Sequence, residues 1–296
     1  MRIGYPCVNT SLGCRNRTFR LKSYSEERLV ETVQSNLDCL RAVLEFNASH
    51  GLLFFRINSG FVPFASHEVC AFDWQAHFKE KFASIGAFIR EKGMRVSMHP
   101  DQFTLINSRD EEIFRRSCRE LEYHADMLDL LGVDTSARIQ IHVGGVYGDR
   151  AQSLSRFVSR YGLLEDKVRR RLAVENDDRN YALRECLDLS EQTGVPVIFD
   201  AFHHEVNCSG ESTAEALALA GRTWSGKDGL PIVDYSTQSP SGRQGAHANA
   251  LDKAAFLGFI RDSRDCDFDL MLEIKDKEKS ACRAIELIKT DPRLVE

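Results

Sequence analysis

Short apolar or β-branched runs recur along the chain near 2–5, 52–57, 94–98, 138–143, 171–175, 196–200, 231–235 and 268–274. Each is followed by a longer amphipathic stretch, near 25–47, 73–92, 110–131, 151–169, 180–193, 211–220, 249–261 and 277–289. The short runs read as buried strands and the long ones as helices with one apolar face. Eight strand–helix units are the count that closes a TIM (β/α)8 barrel, and this α/β architecture is what the pattern predicts. Punctuation agrees: Gly93 and Gly132 each end a predicted helix, and Gly194-Val195-Pro196 precedes the sixth strand. No linker or low-complexity segment interrupts residues 1–296, so one domain with its site at the C-terminal mouth is expected. Alternation alone does not close a sheet, which leaves a doubly wound parallel sheet as the other architecture open.

Acids and histidines fall at the ends of these runs. His99 ends MRVSMH, His142 sits in IQIHVGG, Glu175 ends RLAVE, Asp200 ends VIFD, Asp234 follows PIV and Glu273 lies within DLMLEIK. In a barrel these are the positions from which different strands converge on one site. A carboxylate closing an apolar strand costs several kcal/mol unless a cation compensates it. His203 and His204 follow Asp200 closely, His247 lies in the glycine-rich GRQGAHAN, and His67 lies in the loop after the second strand. This supply of nitrogen and oxygen donors exceeds the need of one structural zinc. It points to two or three divalent ions sharing a bridging carboxylate, zinc or manganese rather than an iron–sulfur cluster. Such a cluster serves hydrolysis, including in-line phosphoryl displacement, or sugar isomerisation, and ion count alone does not choose between them. His50, His77 and His124 lie in helical stretches and read as surface or packing residues.

Composition narrows the class. With 43% apolar and 28% charged residues and 7 prolines in 296, the chain can bury a large core, which excludes disorder, collagen and coiled coil. No apolar run reaches the roughly 18 to 20 residues of a membrane span, and the start of the chain is not that of a secretory signal. Nine cysteines without a C-x-x-C pair argue for a reducing, cytoplasmic setting and against a disulfide scaffold, with at least one thiol free. A formal net charge of -5 weighs mildly against non-specific nucleic-acid binding, an objection that cations bound in a cleft would reverse locally.

With the strand ends assembled, the chain resembles the UV-damage endonuclease family, relatives of the metal-dependent apurinic-site endonucleases. The resemblance rests on GYPCVN at 4–9, NRTFRL at 16–21, PFASH at 63–67, SMHPDQF at 97–103, IHVGGVYGDR at 141–150, LAVENDD at 172–178, FDAFHH at 199–204, DYSTQ at 234–238, GAHA at 245–248 and LEIKDKEK at 272–279. It implies incision of double-stranded DNA directly 5′ to cyclobutane dimers and 6-4 photoproducts. The implied cofactor is a cluster of two or three ions, manganese first, zinc or magnesium as alternatives. Glu175 would bridge, with His99 and His142 at one ion, Asp200 and Glu273 at the second, and His203 and His247 at the third. Glu175, Glu273 and His67 would carry the chemistry, His67 beside the scissile phosphate. Gln102 and Phe103 match the pair that fills the gap left by a flipped lesion, and Tyr5 and Asn9 match lesion-contacting positions. Phosphates would meet Arg15, Arg17, Arg20, Arg150, Lys275 and Lys277.

One segment departs from the family pattern. Ile232 stands where a lysine is common and Asp234 where a histidine is common, so Asp234 is expected to keep an oxygen for the second ion with altered charge. An apurinic-site endonuclease or phosphatase, a sugar isomerase or epimerase on the same barrel, and a binder of damaged DNA without turnover are the alternatives. The protein is expected to act as a monomer away from membranes.

Overall fold

The computed structural model describes residues 1–295. Eight parallel strands form a closed barrel in chain order: β1 (Ile3–Pro6), β2 (Phe54–Ile57), β3 (Arg95–Met98), β4 (Arg138–His142), β5 (Leu172–Glu175), β6 (Val197–Asp200), β7 (Ile232–Tyr235) and β8 (Asp269–Leu272). Gly4 pairs with Phe54 on one side and with Met271 on the other, which closes the ring. The doubly wound alternative is thereby set aside.

Alternation along each strand sorts side chains into two environments. Ile3, Tyr5, Phe55, Val96, Ile139, Val174, Phe199, Val233 and Leu270 join the layer between barrel and helices. Phe54, Ala173, Ile198, Ile232 and Met271 form a separate apolar plug inside the barrel. Below the plug, Asp269 receives Arg95 at 3.0 Å and Arg2 at 3.2 Å, and Arg138 pairs with Asp228. Above it, two residues further along the strands, come Arg56, Glu175, Asp200 and Asp234. The plug and the ion pairs beneath it leave the upper end as the place where a ligand can enter.

The helices are α1 (Glu26–Ser49), α2 (Trp74–Glu91), α3 (Glu111–Leu130), α4 (Arg150–Tyr161), α5 (Asp166–Arg169), α6 (Leu183–Thr193), α7 (Ala201–Val206), α8 (Thr213–Gly221), α9 (Lys253–Asp262) and α10 (Glu278–Ile288). Side-chain caps from Ser25, Asp73, Asp110, Asp149, Asp200, Ser212 and Asp252 start seven of them. The helix expected at 151–169 is two helices, because the chain turns at Gly162 to bury Leu164. In α2, Gly86 lies so close to α3's end that a Cβ there would sit 1.6 Å from the Leu131 carbonyl oxygen. The cysteine reading needs one correction: Cys14 and Cys39 are disulfide-bonded across a Cα separation of 5.6 Å, and the other seven are thiols. The bond ties the arginine-bearing loop after β1 to α1. His50 and His77 are exposed, whereas His124 is buried and its imidazole is pushed down to about 4 by that burial.

Candidate metal centre

Two groups of potential ligands share one residue, Glu175: His99, His142 and Glu175 form the first, and Glu175, Asp200 and His203 the second, each with ligand atoms within 4.8 Å of one another. Parity explains the meeting. His142, Glu175 and Asp200 end β4, β5 and β6, whose neighbouring residues are paired in register. His203 arrives by a different device. Asp200 Oδ1 accepts from the His203 amide at 2.7 Å and so caps α7, a helix that the hydrophobic pattern does not separate from the strand before it. One turn of helix then swings His203 Nδ1 to 3.1 Å from Glu175 Oε1.

Charge is concentrated here. Burial works to raise the Glu175 carboxyl, yet His142, His203 and His99 hold it well below the usual range. Asp200 is pushed the other way, by burial and then by the negative charge of Glu175, Glu273 and Asp234. Burial opposes protonation of His203, but Asp200 and Glu175 outweigh it and raise the imidazole to about 11. A cluster that drives one acid down and another up lacks positive charge, which divalent ions supply.

The donor atoms fit such ions. His99 Nδ1 lies 2.7 Å from the Pro100 carbonyl and His247 Nδ1 lies 2.8 Å from the Glu273 carbonyl. A carbonyl can accept only, so both Nδ1 atoms carry hydrogen, and in the neutral imidazole Nε2 then keeps the lone pair that a metal takes. His99 Nε2 lies 3.3 Å and His142 Nε2 3.7 Å from Glu175 Oε2. His142 Nδ1 and Asp200 Oδ2 are buried without a hydrogen-bond partner, a costly state that coordination by Asp200 would relieve at its oxygen. His247 Nε2 approaches Glu273 Oε2 at 3.9 Å, at the edge of the same constellation.

Asp234, expected to keep an oxygen for the second ion, is held by its neighbours. Both its oxygens accept from Arg56 Nη2 at 2.8 Å, and Oδ2 also accepts from Gln140 Nε2 at 2.5 Å. Three of its four lone-pair directions are thereby occupied, and one remains on Oδ1. Arg56 and Gln140 were invisible to a reading based on acids and histidines. The available signal was an arginine inside FFRI and a glutamine inside RIQIH, polar residues whose burial in a strand demands partners.

Over the ligand groups lies a cleft of about 520 Å³ lined by His99, Gln102, His142, Asp177, Arg179, His203, Arg243 and His247. Arg179 and Arg243 are exposed cations at its wall that the sequence reading did not select. Gln102 is exposed beside it, and the adjacent Phe103 is 72% exposed. Phe103 is held on a turn where its amide donates to Asp101 Oδ1 at 2.8 Å.

Tyr5 and Asn9 are corrected as lesion contacts. Tyr5 points outward from β1 into the helix layer and is fully buried; its hydroxyl donates to Asn47 Oδ1 at 2.7 Å and accepts from Asn9 Nδ2 at 2.9 Å. Asn9, also buried, accepts from the Ser11 and Leu12 amides through Oδ1. His67 lies exposed on the loop between β2 and α2, its Nδ1 accepting from the Val69 amide at 3.0 Å, and belongs to neither ligand group. Arg15, Arg17 and Arg20 are exposed on the loop after β1. Arg150 is paired to Glu185 at 2.6 Å, and Lys275 donates to Asn249 at 3.2 Å. Lys277 precedes α10 with φ of 56°, a left-handed backbone unusual outside glycine.

Comparison with known proteins gives the family. The family model described as UV-endonuclease UvdE matches residues 1–293. A UV DNA damage endonuclease of Clostridium perfringens is 38% identical over 98% of this chain and 71% of its own length. One from Bacillus velezensis is 32% identical over 90% of this chain and 84% of its own. The crystal structure of SacUVDE superposes with a TM-score of 0.93 at 43% identity, covering 98% of both chains. A D-psicose 3-epimerase from Clostridium cellulolyticum H10 reaches a TM-score of 0.56 at 16% identity, over 86% of this chain and 93% of its own, a likeness of fold alone. Two ligand groups hinged on Glu175, set in a barrel matched over its whole length, mean that the chain belongs to the UV-endonuclease UvdE family.

Proposed function

We propose that this barrel is a metal-dependent DNA repair endonuclease that hydrolyses the phosphodiester bond directly 5′ to UV photoproducts. The observation that carries the reading is the pair of ligand groups sharing Glu175 in a chain of this family. His99, His142 and Glu175 would hold one ion, and Glu175, Asp200 and His203 another. Manganese is the ion that the family resemblance implies, and mixed imidazole and carboxylate donors without thiolate suit it, as they suit zinc. Bound there, divalent ions supply an acidified water as nucleophile and charge stabilisation of the leaving oxygen.

The chain's own residues do the rest. His99 and His247 are oriented by their carbonyl partners, so their lone pairs face the cleft without rearrangement. His67 is assigned to the scissile phosphate, as the family resemblance implies. Phe103 offers an aromatic face that stacks in the gap of an unstacked lesion, with Gln102 beside it. Arg15, Arg17, Arg20, Arg179 and Arg243 supply exposed positive charge for the backbone. The reading carries with it a monomer working in the cytoplasm.

The test is a 5′-labelled duplex with one defined cyclobutane dimer, beside its undamaged twin, with manganese and after chelation. The expected result is a cut directly 5′ to the dimer, none in the twin and none with chelator. Cutting of both duplexes at equal rates, or no cutting by folded, metal-loaded protein, would remove the assignment.

A further inference from the structure

Arg56 sits in the uppermost inward layer of the barrel, 2% exposed, where its guanidinium makes contacts of a kind that a metal ion makes. Nη2 donates to both oxygens of Asp234 at 2.8 Å and to Gln140 Oε1 at 2.7 Å, and Nη1 donates to Glu273 Oε1. We infer that Arg56 is a built-in cation that fills the position between Asp234 and Glu273, so that the chain carries two divalent ions, one on each group sharing Glu175. The inference rests on the metal-dependent reading above and concerns how many ions that reading involves.

Three observations carry it. First, three of the four lone-pair directions of Asp234 are taken, by Arg56 on both oxygens and by Gln140 on Oδ2, and the Arg56 guanidinium spans Asp234 and Glu273. Second, the inward row beneath Asp234 offers no donor: Ile232, two residues earlier on β7, packs among Phe54, Ala173, Ile198 and Met271. Among the described residues, neither ligand group includes Asp234 or Glu273. Third, the charges count against a third ion. The four carboxylates Glu175, Asp200, Asp234 and Glu273 face a guanidinium that does not give up its proton. Two divalent ions and Arg56 bring five positive charges to this buried layer, whereas a third ion would bring seven against four.

The same contacts make Arg56 a positioning residue for Glu175. By occupying Gln140 Oε1 it fixes which way the amide is turned, so Gln140 Nε2 donates to Glu175 Oε2 at 2.6 Å. That oxygen faces His99 and His142. Arg56 thus reaches the shared carboxylate through one intervening side chain.

Metal counting tests this without recourse to activity. The full chain, stripped with chelator and dialysed to equilibrium against manganese, is assayed by elemental analysis for ions per chain. Two ions are expected, and Asp234→Asn is expected to keep both, because asparagine retains an acceptor for Arg56 and loses only a charge already spoken for. Any wild-type count other than two, or the loss of one ion in Asp234→Asn, overturns the inference. A count of zero would remove the metal-dependent reading as well, whereas a count of three would leave that reading standing.

Discussion

At the scale of single residues, the proposed function separates groups that would hold ions from groups that would meet DNA, and the two kinds are expected to fail differently. Glu175 belongs to both ligand groups, so Glu175→Ala removes an anchor from each. Outer-shell changes at metal sites already cost about 10- to 100-fold, and removal of the shared ligand is expected to lower incision by more than that. Near-normal incision by the folded, metal-loaded variant would refute the bridging role. Phe103 stands 72% exposed on the cleft-side turn, an arrangement that costs solubility and makes sense as a stacking surface. Phe103→Ala is expected to cost about 1 to 3 kcal/mol of lesion binding, roughly 5- to 150-fold in preference over undamaged duplex. Its manganese content should be unchanged. A competition assay with damaged and undamaged duplexes reads the first, and dialysis reads the second; lost metal at unchanged preference would reverse the assignment.

At the scale of the element, parity decides what a sequence reveals. His99, His142, Glu175 and Asp200 were legible because each closes an apolar run, and the ends of barrel strands converge whatever the details of packing. Arg56 was hidden because β2 is buried on both faces, so the arginine in FFRI does not announce whether it turns inward or outward. The same ambiguity misplaced Tyr5. On β1 the inward row passes through Gly4, and Tyr5 faces α1, where its ring meets Phe55 at 5.3 Å between centroids and its hydroxyl links Asn47 to Asn9. The short helix α7 escaped notice because its cap, Asp200, was read solely as a ligand. Tyr5 therefore belongs to stability. Tyr5→Phe is expected to leave Asn47 Oδ1 and Asn9 Nδ2 buried with one partner fewer, at a cost of about 1 to 3 kcal/mol, seen as a lower urea midpoint. Lesion preference should be intact; a selective loss of preference at unchanged stability would restore Tyr5 to the DNA interface.

At the scale of the whole molecule, two charge systems lie at opposite ends of one barrel and respond to different variables. The lower end and its surroundings depend on carboxylates held below their ordinary range. For Asp228, burial is outweighed by Ser225 and Arg138; for Asp134, it is outweighed by hydrogen bonds from Ser136. A folded value below the unfolded one means that stability is fully present above about pH 4 to 4.5 and is lost as pH falls through the depressed folded values. The difference in urea midpoint between wild type and Asp228→Asn should hold from pH 7 to about 5 and shrink on further acidification; a difference that grows there would refute the sign. The upper end answers to metal instead. The chain's formal charge is -5, and two divalent ions reduce the deficit by four while placing that charge beneath the cleft where Arg179 and Arg243 stand. Field lines focused by such a cleft act on a polyanion far more than the net charge suggests. Affinity for a lesion duplex with a non-hydrolysable linkage 5′ to the dimer is accordingly expected to fall at least ~10-fold on chelation. It should also lose part of its salt dependence, because fewer phosphate counterions are displaced. Fluorescence anisotropy across a salt series measures both quantities. Unchanged affinity in chelator would mean that the arginines alone attract DNA and that the ions serve the hydrolytic step without helping to bring the substrate in.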